Sequence, residues 1–329
     1  GLPSTEIPLD DKETLKLFNG IEPLKLSEDS GIEMGTFGIP EFGTKFVMQM
    51  LKDTEPKTFS DLIRISGLSH GTDVWIGNAK DLVSSGEVPF NKVITTREDI
   101  MNTLIQYGVD NKTSFYTMER VRKGKGLEEE TEALLREKMI PNWYIDSCNK
   151  IKYMFPKAHA VAYVMMSFRI AYYKIYYPLA FYATIFSAKA ADFCAEYALK
   201  DLNYFINEKK RVEKLGNDAT PKEVSTIGIL DLLIEMYMRG FKLKKVDIYK
   251  SHASKFTIDG GDLLPPFISV DGLGENVALS ICEEREKSDF MSKDDLRKRT
   301  GVNKTVLDLL DSMGVLNLTE TDQLDLFNI

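Results

Sequence analysis

The sequence predicts a mainly α-helical fold with one short β element. Apolar residues recur three and four positions apart in several stretches, as one face of a helix requires, and glycine-rich loops separate those stretches. β-branched and aromatic residues in KFTID, followed by GGDLLPPFISV, predict a short pair of strands around a turn. A chain of 329 residues with 43% hydrophobic and 28% charged residues is typical of a globular protein with two or three domains.

The composition argues against several classes of protein. Cys148, Cys194 and Cys282 lie far apart, without metal-site spacing or a disulfide framework, which indicates a reducing compartment. Only three histidines are present, so the sequence does not suggest a zinc site. The N-terminal residues do not resemble a signal peptide, and the longest uncharged run, residues 175–188, is too short to span a bilayer. We therefore expect a cytoplasmic protein, and the abrupt start suggests a piece of a longer chain.

Helices and loops alternate along the first part of the chain. DKETLKLF and EFGTKFVMQMLKD are predicted helices, and EEETEALLREKM predicts a solvated helix ahead of long aromatic helices. The predicted glycine-rich loops are GTFGIPEFG (35–43), SGLSHGTD (66–73) and RKGKG (122–126).

A polar, charged segment, NEKKRVEKLGNDATPKE (207–223), marks the expected domain boundary. Beyond it, STIGILDLLIEMYMRGF predicts a helix that ends at Gly240. We accordingly predict domains over 1–206 and 207–316, followed by a flexible tail over 317–329.

Residues 149–191 contain no acidic side chain and carry six cations, in a chain whose net charge is −8. The cations are Lys150, Lys152, Lys157, Arg169, Lys174 and Lys189. Lys157 and His159 are predicted to stand at the N-terminal end of a helix that starts near Ala160, with Met166, Arg169 and Tyr173 on one face. Such a helix would direct cations to a triphosphate and rings to a base. Core packing is the alternative for most of the rings.

Two further basic elements suggest an anion site. Arg97 in TTREDIMNTLIQYG falls in the first turn of a predicted helix, where a cation opposes the helix dipole unless an anion docks there. Pairing of Arg97 with Glu98 or Asp99 explains it equally well. Arg122, Lys123 and Lys125 surround glycines that would let the chain approach a phosphate closely, although a solvated basic loop is the usual explanation.

The segment SVDGLGENVALSICEERE (269–286) predicts a helix ending near Val270, a tight turn at Gly272, Leu273 and Gly274, and a second helix. A helix-hairpin-helix of this kind presents backbone N–H groups to a DNA phosphate. An ordinary helical hairpin is the alternative. For GLG alone, that alternative is the better explanation. A second helical pair, SKDDLRKRTGVNKTVLDLLDSMGVL, adds some weight to the DNA-binding interpretation, without deciding between the two, because it carries four cations: Arg297, Lys298, Arg299 and Lys304.

The C-terminal residues TDQLDLFNI place Leu324, Leu326 and Phe327 in a polar tail. Apolar side chains in such a tail suggest a peptide that docks in a partner's groove. A frayed terminus packed on its own domain is the alternative.

Several blocks, in this order, resemble the C-terminal portion of PolC-type replicative DNA polymerases, the C-family polymerase III alpha subunits of low-GC Gram-positive bacteria. The blocks are GIPEFGTKF, PKTFSDLIRISGLSHGTDVW, ERVRKGKG, WYIDSCNKIKYMFPKAHAVAYV, GLGENVA and QLDLF. The resemblance implies a fingers domain over 1–206, a duplex-binding domain with helix-hairpin-helix motifs over 207–316 and a clamp-binding tail over 317–329. The implied partners are deoxynucleoside triphosphate (dNTP), primer-template DNA and the sliding clamp.

The resemblance also implies roles for individual residues. The triphosphate would contact Arg97, Arg122, Lys123, Lys125, Lys157 and His159. The base-pair pocket would be lined by Ser69, His70, Gly71 and Thr72, although His70 is equally well explained as a capping or core histidine. Duplex DNA would contact Gly272, Leu273, Gly274, Arg297, Lys298, Arg299 and Lys304. The sliding clamp would bind Gln323, Leu324, Leu326 and Phe327.

Phosphoryl transfer needs divalent ions, here Mg²⁺, held by clustered carboxylates. The sequence has no D-x-D motif, and Asp10–Asp11 and Asp294–Asp295 stand at polar helix starts where caps are expected. We therefore expect no catalytic or metal-binding residues in this chain, a palm domain upstream of it, and no activity from the chain alone. A non-catalytic helix-hairpin-helix DNA-binding protein and a helical scaffold are the alternative functions.

Overall fold

A computed structural model describes residues 3–321. The chain divides into two compact units, Gly1–Ile175 and Tyr176–Ile329. The predicted mainly α-helical fold is confirmed, since helices dominate both units and the strands described form one two-stranded sheet. None of the helices within residues 3–321 combines the length and the apolar character needed to cross a membrane.

The first unit is built from nine α-helices within the described residues. They are α1 (Lys12–Leu17), α2 (Lys45–Thr54), α3 (Phe59–His70), α4 (Lys80–Ser84), α5 (Arg97–Gln106), α6 (Asn111–Arg122), α7 (Glu129–Glu137), α8 (Asn142–Lys150) and α9 (Lys157–Tyr176). Short 3-10 turns at Ser4–Glu6, Glu22–Leu24 and Glu28–Ser30 and an irregular turn at Trp75–Ala79 connect them. Side-chain caps explain several starts: Asp11 accepts from the Thr14 amide at 2.8 Å, and Thr44 accepts from the Val47 amide at 3.3 Å.

The core of the first unit forms around α9. Phe168 is fully buried, stacks on Phe18 at a centroid distance of 6.1 Å and meets Phe59 edge-on at 5.7 Å. Lys174, one of the six cations of residues 149–191, is also fully buried, and its ammonium donates to the carbonyl oxygens of Gly35 and Phe37 at 2.7 Å each. It fastens the glycine-rich loop 35–43 to α9 and is not available to a ligand.

The prediction that residues 66–73 form a loop is wrong for the first part of that segment, because α3 continues to His70. Gly67 lies within the helix, where a Cβ would come within 2.8 Å of the Thr95 carbonyl oxygen. The glycine therefore permits α3 to pack against the segment that leads into α5, and it does not break the helix. Ser69 and His70 occupy the last turn, and only the residues that follow them leave the helix.

The second unit contains, in its described part, six α-helices and a β-hairpin. They are α10 (Pro178–Ser187), α11 (Leu202–Leu215), α12 (Pro221–Met238), β1 (Thr257–Asp259), β2 (Asp262–Leu264), α13 (Glu275–Arg285), α14 (Lys293–Thr300) and α15 (Lys304–Ser312). Short 3-10 turns lie at Ala195–Leu199, Gly216–Asp218 and Phe267–Ser269. The predicted strand pair is confirmed as an antiparallel hairpin around Gly260 and Gly261, both at positive φ.

The charged segment 207–223 is not a linker. Most of it lies in α11 and the start of α12, with Val212 buried. Several of its charges are paired: Arg211 lies 2.8 Å from Glu208 and 3.1 Å from Glu223, and Lys209 lies 2.6 Å from Asp231. The break between compact units lies at residues 175/176, so the boundary predicted at 206/207 falls inside the second unit.

A separate hydrophobic cluster packs the C-terminal half of the second unit. Phe267, Ala278, Ile281, Leu296 and Leu310 are fully buried within it. These residues come from α13, α14, α15 and the 3-10 turn before them. The cluster therefore holds together the elements that the sequence assigned to helix-hairpin-helix motifs.

Candidate nucleotide and DNA interface

Residues 151–157, called here the hub segment, bring the predicted cationic elements together. The segment leaves α8 at Ile151, whose backbone is extended, and the side chains of Ile151 and Met154 are buried. Its backbone meets three helix ends. The Thr72 amide donates to the Tyr153 carbonyl at 2.9 Å, the Met154 amide donates to the Arg122 carbonyl at 3.3 Å, and the Arg97 amide donates to the Phe155 carbonyl at 3.5 Å. The C-terminal ends of α3 and α6 and the start of α5 therefore converge on it.

The carboxylate of Glu98 contacts the first residue of both α5 and α9. Arg97 is the first residue of α5, and Asp99 accepts the Thr95 and Thr96 amides at 3.0 and 2.9 Å, which fixes the helix start. Glu98 lies 3.1 Å from the Arg97 guanidinium and accepts the Lys157 amide at 2.9 Å. The alternative that Arg97 pairs with Glu98 is thus confirmed as a contact.

Helix α9 begins at Lys157, three residues earlier than the predicted start near Ala160. Lys157 and His159 therefore lie in its first turn, and both side chains are exposed. The Lys157 ammonium makes no ion pair with any residue of the described range 3–321. Its charge is the one most accessible to an anion at this helix end.

The positive charge at the end of α6 is partly neutralised by Glu119. Glu119 lies 2.8 Å from Nη2 of Arg122 and 3.1 Å from the Lys123 ammonium. The hydrogen bond from Arg122 lowers the pKa of Glu119 to about 2, so this carboxylate stays ionised and offsets part of the local positive charge. Lys125 lies beyond this group and is exposed. Gly124 has φ of +72°, and a Cβ there would lie 2.5 Å from the Lys152 carbonyl oxygen, which explains why the loop needs glycine.

His70 is held in place from three sides. Its Nε2 lies 3.0 Å from a Glu41 carboxylate oxygen, and its Nδ1 lies 2.9 Å from the Ser66 carbonyl. Its ring stacks on Phe155 with centroids 4.6 Å apart and an interplanar angle of 23°. Glu41 itself adopts φ of +70°, a conformation that costs free energy outside glycine.

Phe155 is the centre of the ring cluster and was not singled out from the sequence. Besides His70, it stacks on Tyr163 at 6.3 Å and meets His159 edge-on at 6.1 Å. Only the fold brings these rings together, because His70 comes from α3 whereas His159 and Tyr163 come from successive turns of α9. The other predicted pocket residues have local roles: the Ser69 hydroxyl lies 3.1 Å from the Ser66 carbonyl, and Thr72 pairs with the hub segment through its backbone.

The exposed face of α9 agrees with the predicted helical spacing. Tyr163 and Met166 are 41% and 49% exposed, so this face offers apolar surface next to the Phe155 rings. Arg169 and Tyr173 are half-buried further along α9. Four other rings of residues 149–191 are buried, as the core-packing alternative expected: Phe168, Phe181, Tyr182 and Phe186. Tyr153, Tyr176 and Tyr177 are exposed.

The second unit contains two similar helix-hairpin turns. In the first, Gly272 has φ of +75°, Leu273 is buried and Gly274 caps α13. In the second, Gly301 has φ of +73°, Val302 is buried and Asn303 accepts the Val306 amide at 2.9 Å to cap α15. The element before the first turn is a single 3-10 turn, Phe267–Ser269, and not the full helix that was predicted to end near Val270.

The basic residues of the second hairpin differ in what they contact. Arg299 lies 3.2 Å from both Glu284 and Asp295 and covers the Phe290 ring at 4.5 Å, so its contacts hold α13 to α14. Arg297 and Lys304 are exposed, and Lys304 is the first residue of α15 beside the turn. Lys298 is also exposed. Arg297 and Lys304 are therefore the cations of this hairpin best placed to reach a phosphate.

The residues predicted to bind a clamp, Gln323, Leu324, Leu326 and Phe327, lie outside the described residues. Within residues 3–321, no group of three or more His, Cys, Asp or Glu side chains is gathered as metal ligands, so the described donors do not fit a Mg²⁺ site.

Comparison with known proteins finds similar sequences along the whole chain. Residues 2–142 match the bacterial DNA polymerase III alpha subunit finger domain, and residues 240–325 match a helix-hairpin-helix motif. The chain is 50% identical to the PolC-type DNA polymerase III of Bacillus cereus over 99% of its own length and 23% of that protein. The corresponding protein of Caldanaerobacter subterraneus is 50% identical, with 99% and 24% covered, and that of Bacillus subtilis is 49% identical, with 99% and 23% covered.

The chain thus spans about a quarter of the length of these relatives. The finger-domain match covers most of the first unit, and the helix-hairpin-helix match contains both hairpin turns of the second. The chain is therefore a homologue, along its whole length, of a segment of PolC-type DNA polymerase III that holds finger and helix-hairpin-helix regions.

Proposed function

We propose that this chain is the nucleotide- and DNA-binding part of a replicative DNA polymerase. The observation that carries the proposal is the convergence of α3, α5, α6 and α9 on the hub segment. It places Lys157, at a helix start, beside a ring cluster. The triphosphate of an incoming dNTP would lie against the side chains of Lys157 and His159 and those amides of the first turn of α9 that Glu98, which accepts the Lys157 amide, does not occupy.

The ring cluster would receive the base or sugar of the same nucleotide. His70, Phe155 and Tyr163 form a continuous stack next to the Lys157 end of α9. A base stacking on a ring of this kind contributes about 1–3 kcal/mol. Glu98 contacts both the Arg97 guanidinium and the Lys157 amide. Arg97 would therefore approach the triphosphate from the side of Glu98 opposite to Lys157. Arg122 and Lys123 would contribute less because Glu119 neutralises part of their charge.

We assign phosphoryl transfer to residues outside this chain. The relatives are about four times as long, and the carboxylates that hold Mg²⁺ would come from that additional sequence. Within the described residues, the chain itself binds and orients the nucleotide and the DNA.

The two hairpin turns are proposed to bind the sugar-phosphate backbone of the primer-template duplex. Amides at the starts of α13 and α15 would contact phosphates, with Arg297 and Lys304 supplying charge. The double substitution Arg297→Ala with Lys304→Ala is expected to weaken duplex binding about tenfold at low salt. It is also expected to reduce the salt slope by roughly two, about one for each phosphate that is no longer neutralised. Fluorescence anisotropy with a labelled duplex at several salt concentrations measures both quantities.

Lys222→Ala with Lys210→Ala is the matched control, because both lysines are exposed in the same unit and belong to α12 and α11, not to the hairpins. The hairpin assignment is wrong if the control pair weakens duplex binding as much as the Arg297 and Lys304 pair does.

The C-terminal residues are proposed to bind a sliding clamp through Gln323, Leu324, Leu326 and Phe327, as the resemblance implies. Deleting residues 323–329 is expected to abolish binding to the clamp and to leave duplex affinity unchanged. Surface plasmon resonance against immobilised clamp measures the first quantity, and the duplex assay measures the second. Loss of both together would mean that these residues support the fold and not a partner.

A non-catalytic helix-hairpin-helix protein is the second candidate, and the match over residues 240–325 favours it. It would bind duplex DNA as the leading candidate does, but dNTP would have no effect on the first unit. A thermal melt of the chain with and without dNTP separates the two. Polymerase function predicts a higher melting temperature with dNTP, whereas the second candidate predicts no change.

A further inference from the structure

A groove in the second unit, called here the C-terminal groove, takes no part in the proposed nucleotide and duplex contacts. It lies between residues 244–250 on one side and residues 314–318 on the other, and its volume is about 650 Å³. Val315 and Leu318 are half-buried along it, and the Tyr249 side chain is 45% exposed. Three lysines also line the groove: Lys244, Lys245 and Lys250.

The two acids of the groove are already held by donors of this chain. The Asp259 carboxylate lies 2.6 Å from the Lys244 ammonium and 3.6 Å from that of Lys250. The Asp247 carboxylate accepts the Tyr249 amide at 2.8 Å and the Lys250 amide at 3.1 Å. Three lysines against two aspartates leave the groove with a positive charge.

The charge that remains belongs to Lys245. This lysine is exposed and makes no ion pair with any residue that the structure describes. A Cβ on Gly314 would lie 3.1 Å from the Lys245 ammonium, so the side chain reaches the opposite side of the groove. An acidic segment that entered the groove would therefore meet a cation without a carboxylate of its own.

The residues that follow the groove in sequence have the complementary composition. Residues 322–329, DQLDLFNI, contain two acids, no cation and four large apolar side chains. Asp322 comes four residues after Leu318, which is at most about 14 Å of extended chain. The Lys293 amide donates to the Thr319 carbonyl at 2.8 Å, which fixes the chain close to the groove before this segment begins.

We propose that residues 322–329 bind in the C-terminal groove of their own chain when no partner holds them. Their aspartates would lie near Lys245 and Lys250, and their apolar side chains would cover Tyr249 and Leu318. The short connection keeps the segment near the groove at an effective concentration of about 1 mM, so weak contacts are sufficient. The inference goes beyond the proposed function, because a sliding clamp would then compete with the chain's own surface for this segment.

The test uses the whole chain with trifluoromethylphenylalanine in place of Phe327, because its ¹⁹F chemical shift reports the surroundings of that ring. The signal of the otherwise unchanged chain is expected to differ from that of a free peptide of residues 321–329 with the same label. Lys245→Glu with Lys250→Glu is expected to move the signal to the position of the free peptide. Both lysines are exposed, and the melting temperature shows that the variant remains folded.

A charge swap separates direct pairing from a general effect of charge. Asp322→Lys with Asp325→Lys is expected to release the segment from the unchanged groove and to restore the docked signal when it is combined with Lys245→Glu and Lys250→Glu. Lys210→Glu with Lys222→Glu is the matched control, since these exposed lysines belong to α11 and α12, and it is expected to leave the signal unchanged.

Three results would overturn the proposal: a signal in the unchanged chain equal to that of the free peptide, an equal response to the control pair, or no restoration by the charge swap. A docked signal that disappears on dilution would also overturn it, because the segment would then bind a second copy of the chain.

Clamp affinity distinguishes this proposal from that of clamp binding. The Lys245→Glu and Lys250→Glu pair is expected to bind a clamp about threefold more tightly, the factor expected when the segment is docked about two-thirds of the time. Absence of clamp binding in every variant, with a docked ¹⁹F signal in the unchanged chain, would reject the clamp proposal alone.

Discussion

Lys157→Ala in a complete polymerase is expected to raise the KM for dNTP about 10- to 100-fold while leaving primer-template affinity within twofold. Lys157 is an exposed cation at the start of α9, without an ion pair among residues 3–321. A hydrogen bond between charged groups contributes about 1.5–3 kcal/mol, and each 1.4 kcal/mol is about a factor of ten. Steady-state kinetics at saturating primer-template measures the change.

Lys157→Arg keeps the charge and is expected to recover most of the affinity for dNTP, which a purely structural role would not require. Lys57→Ala is the control for loss of an exposed lysine elsewhere in the same unit. An unchanged KM for dNTP in Lys157→Ala would show that the triphosphate does not bind at the start of α9. The duplex and clamp proposals would not be affected.

Lys174→Met is expected to lower the free energy of unfolding of the first unit by about 3 kcal/mol. The substitution keeps the apolar stem of the side chain but removes an ammonium that donates to Gly35 and Phe37. It leaves the buried Gly35 carbonyl and the partly buried Phe37 carbonyl without that donor. Chemical denaturation of the chain, followed by the fluorescence of the first unit's two tryptophans, measures the loss.

Lys57→Met, at an exposed position, is expected to change the stability by less than about 0.5 kcal/mol and serves as the control. A Lys174→Met protein as stable as the wild type would mean that loop 35–43 is held by its apolar contacts alone. It would also return Lys174 to the candidates for ligand binding.

Much of the fold follows from local signals in the sequence. Apolar spacing together with caps such as Asp11 and Thr44 predicts α1 and α2, and the paired glycines at 260 and 261 predict the β-hairpin. The errors arise where tertiary contacts override a local signal. Gly67 lies within a helix because only glycine lets α3 pack closely against the backbone of Thr95. Residues 207–223 have the charged composition of a linker, but they lie largely on two helices that pair with each other, as the Lys209–Asp231 contact shows.

The candidate site was predictable in part. Its cationic elements could be found because the absence of acids over residues 149–191 is a long-range feature of the sequence. The pairing of Arg122 with Glu119 was accessible from helical spacing, since the residues lie three apart in α6. The cluster around Phe155, the Glu41–His70 pair and the burial of Lys174 depend on which elements pack together, and no local pattern encodes them.

The central claim is that cationic groups separated in sequence form one anion-binding surface around the hub segment. Reductive methylation with ¹³C-formaldehyde labels lysines while keeping their charge, and titration with tripolyphosphate then reports on each assigned lysine in the NMR spectrum. We expect Lys157 to shift first, Lys125 and Lys152 to follow at higher concentration, and Lys12 and Lys57 to remain unchanged. Equal shifts at all five lysines, or a first response at Lys12 or Lys57, would contradict the account.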